Sequence, residues 1–268
     1  MRAVRKRFGQ HFLRPEWIAA VVRAIAPSPT DVFLEIGPGQ GALTRPLAAR
    51  ASRVVAVEID RDLAEDLRRT APPNVSVVTG DVLEFDIASL AREAAPADGL
   101  RVAGNLPYNV SSPVLFRLID AHRQTGLLRD ATVMLQREVV DRLAAQPGTR
   151  EYGVLTVMLR LHAEVEPVLT LSPGAFRPPP KVHSALARFR FTPPRVALRD
   201  PARFEQVVKA LFSQRRKTVV NAVKPLCPDP GAAAAAVAAA GLDPRRRPET
   251  LDLAELAVLA GLLSSGNP

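Results

Sequence analysis

Val32-Phe33-Leu34-Glu35-Ile36-Gly37-Pro38-Gly39-Gln40-Gly41 is the stretch whose reading decides the fold. An apolar, β-branched run passes into a glycine-rich turn, and a helical pattern over residues 42–50 follows it. Glycines at alternate positions let the backbone approach a ligand with no Cβ in the way, and the start of the next helix adds partial positive charge. By itself such a turn is also a tight strand-to-helix connection with no ligand. The segments on either side of it decide between the two.

Downstream, short β-branched segments at residues 54–59, 75–78, 100–103 and 132–135 are each trailed by a helical pattern. Alternation of this kind predicts an α/β fold, Rossmann-like and doubly wound, with a mostly parallel sheet covered on both faces. Upstream, residues 15–25 carry Trp17, Ile18, Val21, Val22 and Ile25 on one helical face, and Pro27 and Pro29 close that helix. Past Tyr152, apolar segments at 154–161, 165–171 and 185–191 leave little room for covering helices. They are expected to finish the same domain, with an antiparallel edge. Thr192-Pro193-Pro194 and Asp200-Pro201 mark a linker, beyond which residues 204–212, 218–223, 232–240 and 253–263 read as helices. The expected organisation is a catalytic domain over residues 1–193 and a helical domain over 194–268.

The second strand of this series ends in Val57-Glu58-Ile59-Asp60, which puts an acid about twenty residues past the turn, where a ribose hydroxyl pair is held. Glu58 is the candidate for that role; Asp60, next to Arg61, reads as a helix cap. The third strand ends in Gly80-Asp81-Val82, and Asp81 can accept a hydrogen bond from an adenine amine. At the end of the fourth stands Asn105-Leu106-Pro107-Tyr108, in the crevice where ligands of such sheets bind.

That tetrapeptide has a chemistry of its own. An aromatic exocyclic amine is a poor nucleophile because its lone pair is delocalised into the ring. The side-chain carbonyl of Asn105 and the main-chain carbonyl of Leu106 can each accept one amine hydrogen, localising the lone pair and aiming it at a methyl donor, while Tyr108 offers a face for the base. Transfer from a sulfonium has a good leaving group, so positioning and electrostatics suffice and no general base is required. The competing structural reading is an Asn-capped helix start, a turn proline and a core tyrosine.

With these residues in place the chain resembles the bacterial 16S ribosomal RNA adenine dimethyltransferases, relatives of the erythromycin-resistance methylases, nearly end to end. Phe8-Gly9-Gln10-His11-Phe12-Leu13 is similar to the family's N-terminal motif, with His11 where Asn is frequent. The resemblance implies S-adenosylmethionine as cofactor. It implies that Gln10 and His11 lie about its methionine part, that Gly37, Gly39 and Gly41 lie about methionine and ribose, that Glu58 is at the ribose and Asp81 at the adenine, and that Leu13, Ile59, Val82 and Asn105 also contact the cofactor. The catalytic set it implies is Asn105, Leu106, Pro107 and Tyr108. Phe176-Arg177-Pro178-Pro179-Pro180-Lys181-Val182-His183-Ser184 looks like the target-base loop, with Phe176 stacking opposite Tyr108; His183 stands where an acid is frequent and carries no assigned role. Gln214-Arg215-Arg216-Lys217 and Arg245-Arg246-Arg247 resemble parts of a small domain that grips ribosomal RNA.

Composition agrees with a polyanionic partner. Lys and Arg number 36 against 27 Asp and Glu, a formal charge of +9 on 268 residues, though a solvated basic surface would look the same. Cys227 is the sole cysteine, which excludes an intramolecular disulfide and fits a reducing, cytoplasmic setting. No apolar run is long enough to span a bilayer and no signal core follows the basic start, so no membrane partner is expected. The four histidines do not fall at metal-ligand spacing, and no metal is expected. The expected partner is ribosomal RNA or an immature small subunit, bound by a monomer. Rival readings are a resistance methylase acting on large-subunit RNA, an assembly factor that only binds, and a NAD-dependent oxidoreductase; the last leaves Asn105 to Tyr108 without a purpose.

Overall fold

The computed structural model describes residues 11–94 and 98–264, which divide into two compact units. The first unit comprises residues 1–140 and 163–193 and is built on a seven-stranded sheet. Its elements begin with β1 (Phe12–Leu13), α1 (Pro15–Ile25), β2 (Val32–Ile36), α2 (Thr44–Ala48), β3 (Arg53–Glu58) and α3 (Arg61–Thr70). They continue with β4 (Val75–Thr79), α4 (Ile87–Ala94), β5 (Leu100–Asn105), α5 (Ser111–Thr125), β6 (Leu128–Gln136) and α6 (Arg137–Ala144), the last running past the unit's limit. After α7 (Val154–His162), which lies in the second unit, β7 (Ala163–Leu171), β8 (Phe176–Arg177) and β9 (Ser184–Phe191) complete the first.

The sheet runs β4-β3-β2-β5-β6-β9-β7, parallel from β4 to β6, with β9 antiparallel to both β6 and β7. The expected doubly wound sheet with an antiparallel edge is therefore present. Burial explains the sequence pattern. β2 is buried along its whole length, as suits a strand covered on both faces, whereas the edge strand β7 mixes buried and exposed positions. After β4 the chain returns to the other side of β2 to form β5, so the direction of winding reverses between β2 and β5. A crevice opens above their carboxyl ends.

At the opposite end of the sheet, Arg101 of β5 is 3% exposed and fully engaged. It reaches Asp130 at 3.0 Å and Asp31 at 2.6 Å, and donates to the carbonyls of Ile25 and Ala26 at 2.7 and 3.0 Å. Those carbonyls end α1, whose last turn has no intrahelical partner for them, so one guanidinium both neutralises two buried carboxylates and caps a helix.

The second unit comprises residues 141–162 and 194–268. It holds α7, α8 (Pro201–Ser213), α9 (Val219–Val223), α10 (Pro230–Ala239) and α11 (Leu253–Ser264). Asp200 and Asp229 cap α8 and α10 by accepting from Arg203 N and Ala232 N at 3.0 and 2.8 Å. Here the structure corrects the sequence reading in one place. The break at 193/194 coincides with a unit boundary, but residues 141–162 group with the C-terminal helices, and 154–162 is a helix rather than part of the sheet edge. Val154-Leu155-Thr156-Val157-Met158-Leu159-Arg160-Leu161 is apolar nearly throughout, and a fully buried helix turn cannot be told from a buried strand by period alone. Its residues 156–159 are all buried, and Tyr152 just before it packs edge-on against Phe212 of α8, ring centroids 5.7 Å apart. Among the described residues no helix is long and apolar enough to cross a membrane, and no three His, Cys, Asp or Glu side chains converge as a metal would need.

Candidate active site

The crevice is assembled where β2 and β5 meet. Ile36 pairs with Gly104, and a Cβ on Gly104 would lie 2.4 Å from the Ile36 carbonyl oxygen, so only glycine lets the strands close up and deliver Asn105 to the rim. The pocket above is lined by His11, Phe12 and Leu13, by the glycine turn, by Glu58 and Ile59, by Asp81 and Val82, and by Asn105 through Val110.

Glu58 organises the turn. It is 4% exposed; its Oε2 accepts from Gly39 N and its Oε1 from Asp60 N, each at 2.9 Å. Gly39 has a φ of 57° and a Cβ there would press on the Phe12 ring at 3.0 Å, so both the turn and the β1 side of the pocket depend on glycine. Asp60 caps α3, as its position beside Arg61 suggests, accepting from Asp62 N at 3.0 Å. Asp81 accepts from Leu83 N at 2.9 Å, and Ile59 leaves 44% of its surface open beside it.

Asn105 does not cap a helix. The following helix starts at Ser111, and the Asn105 Nδ2 donates instead to the main-chain carbonyl of His11 at 2.7 Å, leaving Oδ1 as the acceptor available to a ligand. Tyr108 has its hydroxyl 2.6 Å from Ser184 Oγ, and its ring lies 5.7 Å from that of His11, inclined by 30°. His11 Nδ1 is 2.8 Å from the Pro178 carbonyl, which only accepts, so Nδ1 carries the hydrogen.

The electrostatics are acidic at the floor. Glu35, in the middle of the buried sheet, is 1% exposed with an unpartnered Oε2, and burial raises its pKa to about 7. Burial also raises the Glu58 carboxyl, against the hydrogen bonds from Asp60 and Gly39 that lower it. Burial likewise raises the Tyr108 phenol. Glu58 and Asp81 in a largely apolar crevice suit a cationic ligand with a flat, partly apolar body, which is the character of S-adenosylmethionine.

A profile of the ribosomal RNA adenine dimethylase family matches residues 1–254. The chain belongs to that family. Among curated relatives, the ribosomal RNA small subunit methyltransferase A of Nitrosococcus oceani is 47% identical over 259 residues, covering 95% of this chain and 94% of its own. The protein of that name from Myxococcus xanthus is 45% identical over 265 residues, covering 97% and 91%. Among solved structures, the 23S rRNA methyltransferase ErmE has a TM-score of 0.67 at 28% identity, covering 95% of this chain and all of its own. A dimethyladenosine transferase from Plasmodium falciparum has a TM-score of 0.76 at 23% identity over 93% and 96%, which speaks for the fold.

Most of the residues expected from the sequence of this dimethylase-family chain line one pocket; several do not. Gln10 lies outside the described residues. Gly41 is not in the lining: its φ is 79° and a Cβ there would face Arg45 and Leu67 on the outer side of the turn. Phe176, expected to present a face to the base, is 0% exposed and packs in the core with Leu13, Leu171 and Ala175, because β8 pairs with β1 and turns it inward. Of the basic clusters, Arg246 is paired with Glu255 at 2.5 and 3.0 Å and Arg245 is forked over Asp243. Arg215 donates to the Arg150 carbonyl at 2.6 Å, while Arg216, Lys217 and Arg247 are exposed. The sequence reading missed Glu35, although a carboxylate inside an otherwise apolar central strand is a legible anomaly. It also missed Ser184, whose bond to Tyr108 depends on long-range register that no local pattern carries.

Proposed function

We propose that this chain transfers methyl groups from S-adenosylmethionine to the exocyclic amine of adenine in small-subunit ribosomal RNA. The donor supplies a sulfonium-bound methyl group. Glu58 and the Gly37–Gly39 turn orient its ribose and methionine portions, and Asp81 receives its adenine. Asn105 Oδ1 and the Leu106 carbonyl accept the two hydrogens of the target amine, and Tyr108 supports the extruded base.

The observation that carries this reading is the Asn105 amide. Donation to the His11 carbonyl fixes the side chain before any substrate arrives, and such preorganisation is what a reaction without a general base requires. The small-subunit target is supported by 47% identity to a relative named for that subunit, against 28% to ErmE. Exposed Arg216, Lys217 and Arg247, with Arg215 beside them, suit a helical unit that grips RNA phosphates. The test is to incubate the protein with labelled donor and unmethylated small subunits or their naked RNA, and to map modified bases by mass spectrometry. Label at an adenine amine is expected; label elsewhere, or none, overturns the reading.

A further inference from the structure

The segment 177–183 carries exposed cations that neither the donor pocket nor the helical unit accounts for. Arg177 and Lys181 are both exposed, and neither makes an ion pair or a side-chain hydrogen bond among the described residues. Some exposed arginines of the same unit are paired, Arg14 with Glu16, Arg69 with Asp66, Arg123 with Asp120 and Arg190 with Glu166, while Arg23, Arg53, Arg61 and Arg92 are exposed like Arg177; what sets Arg177 and Lys181 apart is their place in a segment tied to the pocket. The segment is also held against the pocket at three points. His11 Nδ1 donates to the Pro178 carbonyl at 2.8 Å, Arg137 N donates to the His183 carbonyl at 3.0 Å, and Ser184 Oγ lies 2.6 Å from the Tyr108 hydroxyl. Two of the three anchors, His11 and Tyr108, line the pocket itself.

We propose that residues 177–183 form a phosphate-binding lip, with Arg177 and Lys181 contacting the RNA backbone on either side of the extruded adenine. This rests on the reading of RNA methylation above. A base drawn into the crevice leaves its flanking phosphodiesters at the mouth, each with a fixed negative charge. Extrusion costs a few kcal/mol of stacking, and backbone contacts beside the mouth offset that cost where it arises. Pro178, Pro179 and Pro180 preset the backbone between the two cations, so less conformational freedom is lost when they engage. A guanidinium and an ammonium then act at fixed points, independent of base identity.

The experiment uses the full chain and an unmethylated hairpin RNA from the small subunit, with affinity measured by fluorescence anisotropy across a salt series. Arg177→Gln with Lys181→Gln should weaken RNA binding roughly tenfold and reduce the log–log salt slope by about 1.4, since single strands release about 0.7 counterion per phosphate. Donor affinity by calorimetry should stay at the parent value, which also reports that the fold is intact. The charge-preserving pair Arg177→Lys with Lys181→Arg should restore the slope. A double glutamine variant with parental affinity and slope overturns the lip. So does a lysine–arginine variant as defective as the glutamine one, because the role would then be one of shape. Failure of the parent to methylate adenine in any RNA overturns the wider reading instead, so the two failures are distinguishable.

Discussion

The phenolic oxygen of Tyr108 and the hydroxyl of Ser184 are 2.6 Å apart, joining the Asn105–Tyr108 tetrapeptide to the start of β9. Ser184 is 0% exposed, so removing the phenol leaves a buried hydroxyl in need of a partner. Tyr108→Phe is therefore expected to cost about 1–2 kcal/mol of stability while keeping a ring for the base. Tyr108→Ala should lose in addition about 1–3 kcal/mol of RNA binding. Thermal melts and anisotropy separate the two effects, and equal RNA affinity for both variants would remove the ring as a platform.

Asn105→Ala deletes the Oδ1 acceptor on which the proposed amine contact rests, together with the tie to the His11 carbonyl. A drop of roughly a hundredfold in the single-turnover rate at saturating donor and RNA is expected, as for loss of one preorganised polar group. Donor affinity should survive. A variant that melts normally and methylates at the parental rate would refute the amine assignment.

Glu58→Gln keeps the shape of the side chain but sets an amide NH2 against one of two backbone donors, Gly39 N or Asp60 N. Donor affinity should fall more than tenfold, about 1.4 kcal/mol or greater, through the disturbed turn and the lost charge-assisted bonds. Calorimetry giving the parental constant in a folded variant would take Glu58 out of the donor site.

Glu35 makes stability depend on pH. Burial raises its folded pKa to about 7, so between the ordinary glutamate range and that value the folded chain holds a proton that the unfolded chain has released. Stability falls as pH rises through that window. Relative to the parent, Glu35→Gln should be offset by a constant amount in acid and gain up to about 3 kcal/mol by neutral to mildly alkaline pH. Urea unfolding at a series of pH values reads this directly; parallel curves would mean that the carboxyl titrates normally.

Arg101→Met should be the costliest of these substitutions. It removes the buried cation between Asp31 and Asp130, both under 10% exposed, leaving them only the more exposed Arg129 at 3.3 and 4.0 Å, and it frees the carbonyls that end α1. A loss of about 3–5 kcal/mol is expected in denaturant unfolding. Adding Asp31→Asn should recover part of it, and a single-variant loss under about 1 kcal/mol would show the cluster to be idle.

Much of the site was legible because it sits at strand ends. Glycine turns, acids closing apolar runs, and Asn105 after β5 are local patterns, and the sheet converts their spacing into one crevice. What was illegible depends on pairing between distant segments. Phe176 reads as an aromatic at the head of a proline loop, and only its pairing with Leu13 across 163 positions turns it into the core. Arg246 reads as one of three equal cations until Glu255 is brought beside it by α11. The helix at 154–162 was hidden for another reason: burial on every side erases the period that would distinguish it from a strand.

Because residues 141–162 belong with the C-terminal helices while 163–193 return to the sheet, the polypeptide passes between the units three times. Severing the chain anywhere in 194–200 therefore liberates no autonomous half: the N-terminal piece keeps residues 141–162 of the second unit, tied to the first through 140–141 and 162–163, and the C-terminal piece lacks them. A gene shortened at codon 193 would encode a chain whose Tyr152 lacks Phe212 as its neighbour, presenting an apolar surface to chaperones and proteases in place of a trimmed enzyme.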